Sequence, residues 1–246
     1  MKADHFEQQK LLDLAAEDVA LTQLAHRRRT LPEAVAVQAA EETERTFSAD
    51  VVRAETEARD LAREVKRLDS DVETVRQRET KDQRLLDSGS VSPKEMTNLQ
   101  HELDSLKRRQ SDLEDQELEL MERLEVAEKA LAQAQQGLEK AKADRERVEQ
   151  LRDDALADIE DGTTKHEAAR SEVAAGISAP LLTLYDRIRK QTGTSGAAPL
   201  RHRACQGCRI EFYGSQLAAV RTADPHEVVR CENCGRILVR TAESGL

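Results

Sequence analysis

From Val37 to Val75 the apolar residues return at alternating steps of three and four: Val37, Ala40, Phe47, Val51, Ala54, Ala58, Leu61, Val65, Leu68, Val72 and Val75, with Glu44 as the polar member of the series. Steps of three and four average 3.5 residues, so these side chains form one narrow stripe along a helix, the pattern of a coiled-coil seam. After an interruption the rhythm resumes at Met96 and continues through Leu99, Leu103, Leu106, Leu113, Leu120, Leu124, Ala127, Leu131, Ala134, Leu138 and Ala141, with Gln110 and Glu117 in the remaining seam positions. Two long helices that pack on each other are predicted. The first, from Pro32 to Leu85, contains 54 residues and would extend roughly 80 Å at about 1.5 Å per residue.

The segment between the two patterns reads as a hairpin tip over residues 87–92. Asp87-Ser88-Gly89-Ser90 stops one helix, and Ser92-Pro93-Lys94-Glu95 starts the next. Ser92 suits the N-cap, Pro93 the first helical position, and Glu95 completes a capping box. So short a loop favours antiparallel pairing within one chain, and therefore a monomeric intramolecular hairpin over a parallel dimer. A tip centred near Ser90 sets Leu61 beside Leu118 to Leu120 and Phe47 beside Leu131.

Outside this pattern, Ala3 to Arg29 carries Phe6, Leu11, Leu14, Val19, Leu21 and Leu24, and is predicted as a helix that breaks before Pro32. It should pair with the returning helix, which continues through Val148, Leu151, Ala155 and Ile159 toward Ala175, with a local fraying point at Gly162-Thr163-Thr164. Gly176 to Pro180 ends that helix, and Leu181 to Gln191 reads as a short amphipathic helix closed by Gly193. Thr192 to Ala198 has the composition of a flexible linker. Beyond it, apolar residues around Ile210 and Phe212, at Val228-Val229 and at Ile237-Leu238-Val239 predict three short strands, and Ser215 is placed to cap a helix through Val220. The expected organisation is a helical coiled-coil hairpin over 1–180, a short helix and linker over 181–198, and a small β module over 199–246. The fold class is mainly α.

Composition supports an extended helical body. Charged residues make up 35% of the chain and aromatic residues 2%, with no tryptophan, which is too little to fill a large three-dimensional core. The acidity is unevenly spread: residues 181–246 hold 10 Lys+Arg against 6 Asp+Glu, and residues 1–180 hold 28 against 42. A net charge this negative over the helical part suits a protein partner or solubility more than nucleic acid, whose binding needs several phosphate-neutralising side chains together. No apolar run reaches the roughly 18 residues that would cross a bilayer, and MKADHFEQQK opens no secretory signal. A cytoplasmic protein without a membrane partner is expected.

All four cysteines fall in the last fifth of the chain, as Cys205-Gln-Gly-Cys208 and Cys231-Glu-Asn-Cys234. Two residues between cysteines let both sulfurs point into one tetrahedron, and two such turns supply four thiolates for a single structural Zn²⁺. Gly235 suits the positive backbone angle that follows such a turn, and Gly207 is compatible with the same geometry. Two disulfides and a redox pair are the competing readings; the first wants an oxidising compartment and the second a βαβ context, neither of which the sequence indicates. His202 and His226 lie nearby, but four cysteines already fill the tetrahedron.

With these residues in view the chain resembles a bacterial family of coiled-coil proteins with a C-terminal four-cysteine zinc ribbon, also described as zinc-RING or zinc-ribbon proteins. The resemblance covers nearly the whole chain. It is carried by Ser88-Gly89 through Pro93-Lys94-Glu95, by Leu99-Gln100-His101-Glu102 and Leu106-Lys107-Arg108-Arg109-Gln110, by Tyr185-Asp186-Arg187-Ile188-Arg189-Lys190, and by Cys231-Glu232-Asn233-Cys234-Gly235-Arg236-Ile237-Leu238. It implies an antiparallel hairpin joined to the ribbon, with no established enzymatic activity, and roles that differ among members: nucleic-acid binding, RNA polymerase sigma factors, or secretion and flagellar regulation. The chain departs from the family at Val239, where an aromatic is the common occupant. A RING ligase would need a second zinc site, for which ligands are missing.

Two functional classes follow. In the first, a noncatalytic adaptor binds RNA or DNA, RNA foremost, and/or transcription-related proteins through the ribbon, using Arg201, Arg203, Arg209, Arg230, Arg236 and Arg240 with Phe212 or Tyr213 as stacking groups. In the second, the coiled coil is a protein scaffold or chaperone-like adaptor and the ribbon is structural or protein-binding. Arginines on a small ribbon are commonly just solvated, and one of the two aromatics is needed for its core. An enzyme is disfavoured, because a closed thiolate site activates no water and no phosphate-binding loop is present.

Overall fold

The computed structural model describes all 246 residues. Its elements in chain order are α1 (His5–Arg29), α2 (Pro32–Asp87), α3 (Pro93–Ala175), α4 (Ala179–Thr192), β1 (Ala197–Arg201), β2 (Ala204–Cys205), α5 (Gly214–Thr222) and β3 (Ile237–Arg240). They divide into two compact units, residues 34–150 and residues 1–33 with 151–246. No helix is long and apolar enough to cross a membrane.

In the 34–150 unit, α2 and the first part of α3 form the antiparallel hairpin. Leu68, Val72, Val75, Leu106 and Leu113 make one buried cluster along the seam, and Ala58, Leu61 and Ala127 make another, flanked by Leu120 and Leu124. The capping box forms as the sequence requires: Glu95 N–H donates to Ser92 Oγ at 3.3 Å, and Ser92 N–H donates to Glu95 Oε2 at 2.9 Å. Those bonds hold the Glu95 carboxyl below its usual pKa. The polar seam residue Glu44 is met from the other helix by Arg145 at 2.6 Å. Arg76–Glu114 and Arg78–Glu102 also bridge the helices, at 2.7 and 2.8 Å. Of these, the more exposed Arg76–Glu114 and Arg78–Glu102 pairs add little stability.

The register is displaced from a centring on Ser90. Phe47 lies against Gly137, where an added Cβ would stand 2.5 Å from the ring, and so more than a turn beyond Leu131. Helical side chains lean toward their own N-terminus. In an antiparallel pair this shifts contact toward later residues on both helices, which accounts for part of the displacement.

The other unit is built around a three-stranded sheet of order β2-β1-β3, in which β1 pairs antiparallel with β2 and parallel with β3. Strand residues alternate between two cores. Ala197, Ile237 and Val239 face Leu11, Leu14 and Ala15 of α1 and Leu181, Tyr185 and Ile188 of α4, whereas Ala198, Leu200 and Leu238 face the cysteines, Phe212 and Val220. A strand buried on both faces explains the uninterrupted apolar run Ile237-Leu238-Val239. It also explains Val239 itself: the residue is fully buried against the helices, so that position offers no stacking surface to solvent.

Several local expectations are revised. Ala197 and Ala198, which composition assigns to a linker, are the first residues of β1 and are buried, as is Ser195. Ile210 and Phe212 form no extended strand; Glu211 makes a single bridge to Ala204, because β2 is only two residues long. Val229 joins the sheet region through its carbonyl, which accepts from Leu238 N–H at 2.9 Å. α5 has Tyr213 as N-cap and no side-chain cap bond, so Ser215 lies one residue inside the helix. α3 runs through Gly162 without a break.

α1 brings an acidic side chain into the apolar core. Asp18 is fully buried, and its carboxylate accepts from Tyr185 Oη at 2.6 Å, Arg170 Nε at 2.7 Å and Arg189 Nε at 2.9 Å. Arg170 also reaches Asp186 at 2.7 Å. Burial, then the bond to Asp18, push the Tyr185 hydroxyl pKa far above its usual value. One carboxylate thus ties α1 to α3 and α4. The first residues of the chain are bound in too, since Ala3 N–H donates to His226 O and Val228 N–H to Met1 O, at 2.8 and 3.0 Å.

Candidate metal centre and the ribbon surface

The two Cys-x-x-Cys turns are built alike. Arg209 N–H donates to Cys205 O at 2.6 Å and Gly235 N–H to Cys231 O at 2.8 Å. A second bond in each turn runs from Cys205 N–H to Ile210 O and from Cys231 N–H to Arg236 O, at 3.0 and 2.8 Å. The residue after each pair turns left-handed, Gly235 with φ 74° and Arg209 with φ 60°. Glycine takes this conformation freely, whereas a side chain there is strained. Gly207 serves otherwise. Its φ is not in the left-handed region, and an added Cβ would meet Arg236 Cδ at 2.7 Å and Ala198 Cβ at 3.1 Å, so it is small to let other residues approach.

No disulfide joins the four cysteines, and their ligand atoms lie within 4.8 Å of one another. Sγ–Sγ distances are 3.8 Å for Cys205–Cys234 and 3.7 Å for Cys208–Cys231. Four sulfurs about 2.3 Å from one zinc ion would be about 3.8 Å apart at the corners of a tetrahedron. The donor set therefore fits one structural Zn²⁺, held by Cys205, Cys208, Cys231 and Cys234 with no open position. Without metal, burial pushes the Cys205 thiol up to about 12 and raises Cys231 as well. At Cys234 burial also acts upward, but hydrogen bonds from the Arg236 backbone and side chain outweigh it and hold the thiol down to about 7. Bound zinc would keep all four as thiolates and release the protons they carry.

The ribbon arginines divide into two groups. Arg236 is committed to the fold: Nε donates to Ser195 O at 3.1 Å, Nη2 to Thr194 Oγ1 at 2.7 Å and Nη1 to Gly207 O at 3.4 Å. Arg240 is held by four carbonyls, those of Ala223, Asp224, Pro225 and Glu227, at 2.6 to 3.2 Å. These two guanidiniums supply hydrogen-bond donors to carbonyls at Ser195, Gly207 and residues 223–227, all outside the strands. Arg201, Arg203, Arg209 and Arg230 are exposed; Arg201 pairs with Glu243 at 2.7 Å, Arg203 Nε donates to Gly245 O, and Arg230 Nε to Gly235 O. Phe212 is 1% exposed inside the cysteine-side core and is corrected from stacking group to core residue, while Tyr213 is 67% exposed, with its hydroxyl on Glu211. His202 and His226 are exposed, as four cysteine ligands lead one to expect.

Residues 14–193 match the model of the CT398-like coiled coil hairpin domain, and residues 204–238 match the C4-type zinc ribbon domain. An uncharacterized protein of Mycobacterium tuberculosis is 38% identical over 240 residues, covering 98% of both chains. A second, from Mycobacterium leprae, is 29% identical over 221 residues, covering 89% of this chain and 94% of that one. Among solved structures, a Mycobacterium smegmatis protein superposes with a TM-score of 0.83 at 32% identity, over 98% of this chain and all of the other. CT398 from Chlamydia trachomatis shares the fold with a TM-score of 0.63 at 18% identity, over 96% and 98% of the two chains. Hairpin, paired knuckles and relatives coincide along the sequence, and the chain belongs to the CT398-like coiled-coil hairpin family that carries a C4-type zinc ribbon.

Proposed function

We propose that the protein is a noncatalytic cytoplasmic adaptor whose coiled-coil hairpin holds a protein partner, with the zinc ribbon as a structural module. The observation that carries this reading is the distribution of exposed apolar side chains. Val52, Leu118, Met121 and Val126, all outside the seam of the hairpin, are 49 to 67% exposed. On the ribbon, by contrast, Arg236, Arg240 and Phe212 serve the fold. A closed set of four thiolates has no position at which to activate water. A transcription-related protein such as a sigma factor is the partner class to which the family resemblance points. Crosslinked purification of the full chain from its host, with and without RNase, tests the reading. Recovery of one defined polypeptide in stoichiometric amount and resistant to RNase is the expected result; loss of all partners on RNase treatment would overturn it.

A second reading, binding of RNA or DNA by the ribbon, is favoured by one feature. Arg209 keeps a left-handed backbone that glycine would adopt more cheaply, and its exposed guanidinium has no ion-pair partner. Tyr213 is a second exposed group of the type that stacks on bases. On this reading Arg209→Glu with Tyr213→Ala weakens binding of single-stranded RNA and lowers its salt dependence; unchanged binding removes it.

A further inference from the structure

A two-helix hairpin closes its seam from two helices only, and the valley running beside the seam remains available to a third. One such valley in the 34–150 unit is continuous. Its stretch along α2 from Glu41 to Arg53 adjoins the next through Val52 and Arg53, and that one adjoins a third, reaching α3, through Glu57, Leu61 and Arg123. From Glu41 to Glu64 the α2 wall extends roughly 35 Å at about 1.5 Å per residue, the length of a helix of about six turns. Leu61 and Ala127, 6 and 5% exposed, form the floor, while Val52 and Val126 stand at 60 and 67% on the walls. Small residues, Ala49 beside Val52 and Ala130 beside Val126, leave room for side chains of an incoming helix.

The charges select the occupant. Glu57, Glu64, Glu119 and Glu122 line the valley and make no ion pair, and they face a single unpaired cation, Arg123. Arg45 and Arg53 are already engaged by acidic neighbours on α2. On α3, residues 111–130 contain eight Asp+Glu against two Lys+Arg. A second copy of this chain would bring the same carboxylates against them, and a nucleic acid its phosphates; both are repelled. Resting on the adaptor reading of the hairpin, we propose that this valley is the docking site for a basic amphipathic helix of a partner protein. Apolar side chains at helical spacing would sit over Leu61 and Ala127 between Val52 and Val126, and flanking Lys or Arg would meet Glu57, Glu64, Glu119 and Glu122.

The test uses the full-length protein and a fluorescein-labelled synthetic peptide of leucine and lysine, 21 residues long, with leucine on one helical face. A control differs from it only by a central proline, which breaks the helix. Anisotropy titration is expected to give saturable one-to-one binding, with the control at least about tenfold weaker. Val52→Asp with Val126→Asp should weaken the peptide at least about tenfold, and far-UV circular dichroism should stay unchanged because both sites are exposed. Glu57→Gln, Glu64→Gln, Glu119→Gln and Glu122→Gln together should weaken binding and flatten its salt dependence, whereas Asp69→Asn with Glu146→Gln, outside the valley, should not. Equal binding by the proline control, or by the valley variants, would overturn the proposal. So would a concentration-dependent dimer, seen by sedimentation, that Val126→Asp dissolves. A host protein retained by the valley variants in RNase-treated crosslinked purification would remove this site yet leave the adaptor reading standing.

Discussion

The hairpin unit and the ribbon-bearing unit solve the same problem, a chain with 2% aromatic residues, by opposite means. In the hairpin each buried residue meets one short stretch of a single opposing helix, so stability accumulates turn by turn and most of each helix surface stays wet. The ribbon-bearing unit draws on residues far apart in sequence, buries them on both faces of a small sheet, and adds a charged cluster and a metal-ligand set to a core with little apolar mass. The first arrangement should degrade gradually when damaged; the second should fail as a whole.

Removing zinc should give the widest separation between them. Structural zinc contributes on the order of 10 kcal/mol of apparent free energy in small domains. Cys231→Ser or a strong chelator should therefore unfold the sheet and loosen α1 and α4, which pack on it, while the far-UV helical signal of residues 34–150 persists. Proteolysis followed by mass spectrometry reads this out, and equal protection of both units would contradict it. The same contrast has a pH signature. Cys205 and Cys231 have raised pKa values without metal and are protonated at neutral pH. Zinc must displace those protons, so its retention against a chromogenic chelator should fall as pH drops from 8 to 6.

Asp18→Ala should come next, at about 3 kcal/mol or more, because it leaves Arg170 and Arg189 without their shared carboxylate in a partly buried site. Urea denaturation should show the loss in the ribbon-bearing unit and not in the hairpin. Leu61→Ala removes a seam residue and should cost about 2 to 3 kcal/mol, confined to the hairpin. Gly137→Ala pits two smaller effects against each other: roughly 1 kcal/mol of helix propensity gained and about 1 to 3 kcal/mol of overpacking against Phe47. Net destabilisation is expected, and Phe47→Leu should reverse its sign. Arg209→Gly is the mildest, a gain of about 1 kcal/mol in ribbon stability from relief of the left-handed backbone.

What the sequence made legible is what local chemistry decides. The two cysteine pairs, the capping box at Ser92 and Glu95, the stop at Gly193 with φ 74°, and the heptads of both long helices all express constraints within a few residues. What stayed hidden depends on partners far along the chain. Asp18 looks like any acid on a charged helix until Arg170, Tyr185 and Arg189 converge on it. Ala197 and Ala198 look like linker because small residues are ambiguous, and only the parallel pairing with Ile237 and Leu238 makes them a strand. Arg236 and Arg240 look like recognition groups for the same reason: no local rule marks an arginine whose acceptors are backbone carbonyls 13 to 41 residues away.

Lys2 pairs with Asp224, 222 positions later, and Met1 and Ala3 share backbone bonds with the 226–228 segment. On the ribosome this imposes an order of events. The hairpin has all its residues once Gln150 has emerged and can zip from its tip while translation continues. The opening segment must wait, apolar face uncovered, until β3 is synthesised. α1 is then the stretch most in need of protection during synthesis, although it is made before the hairpin.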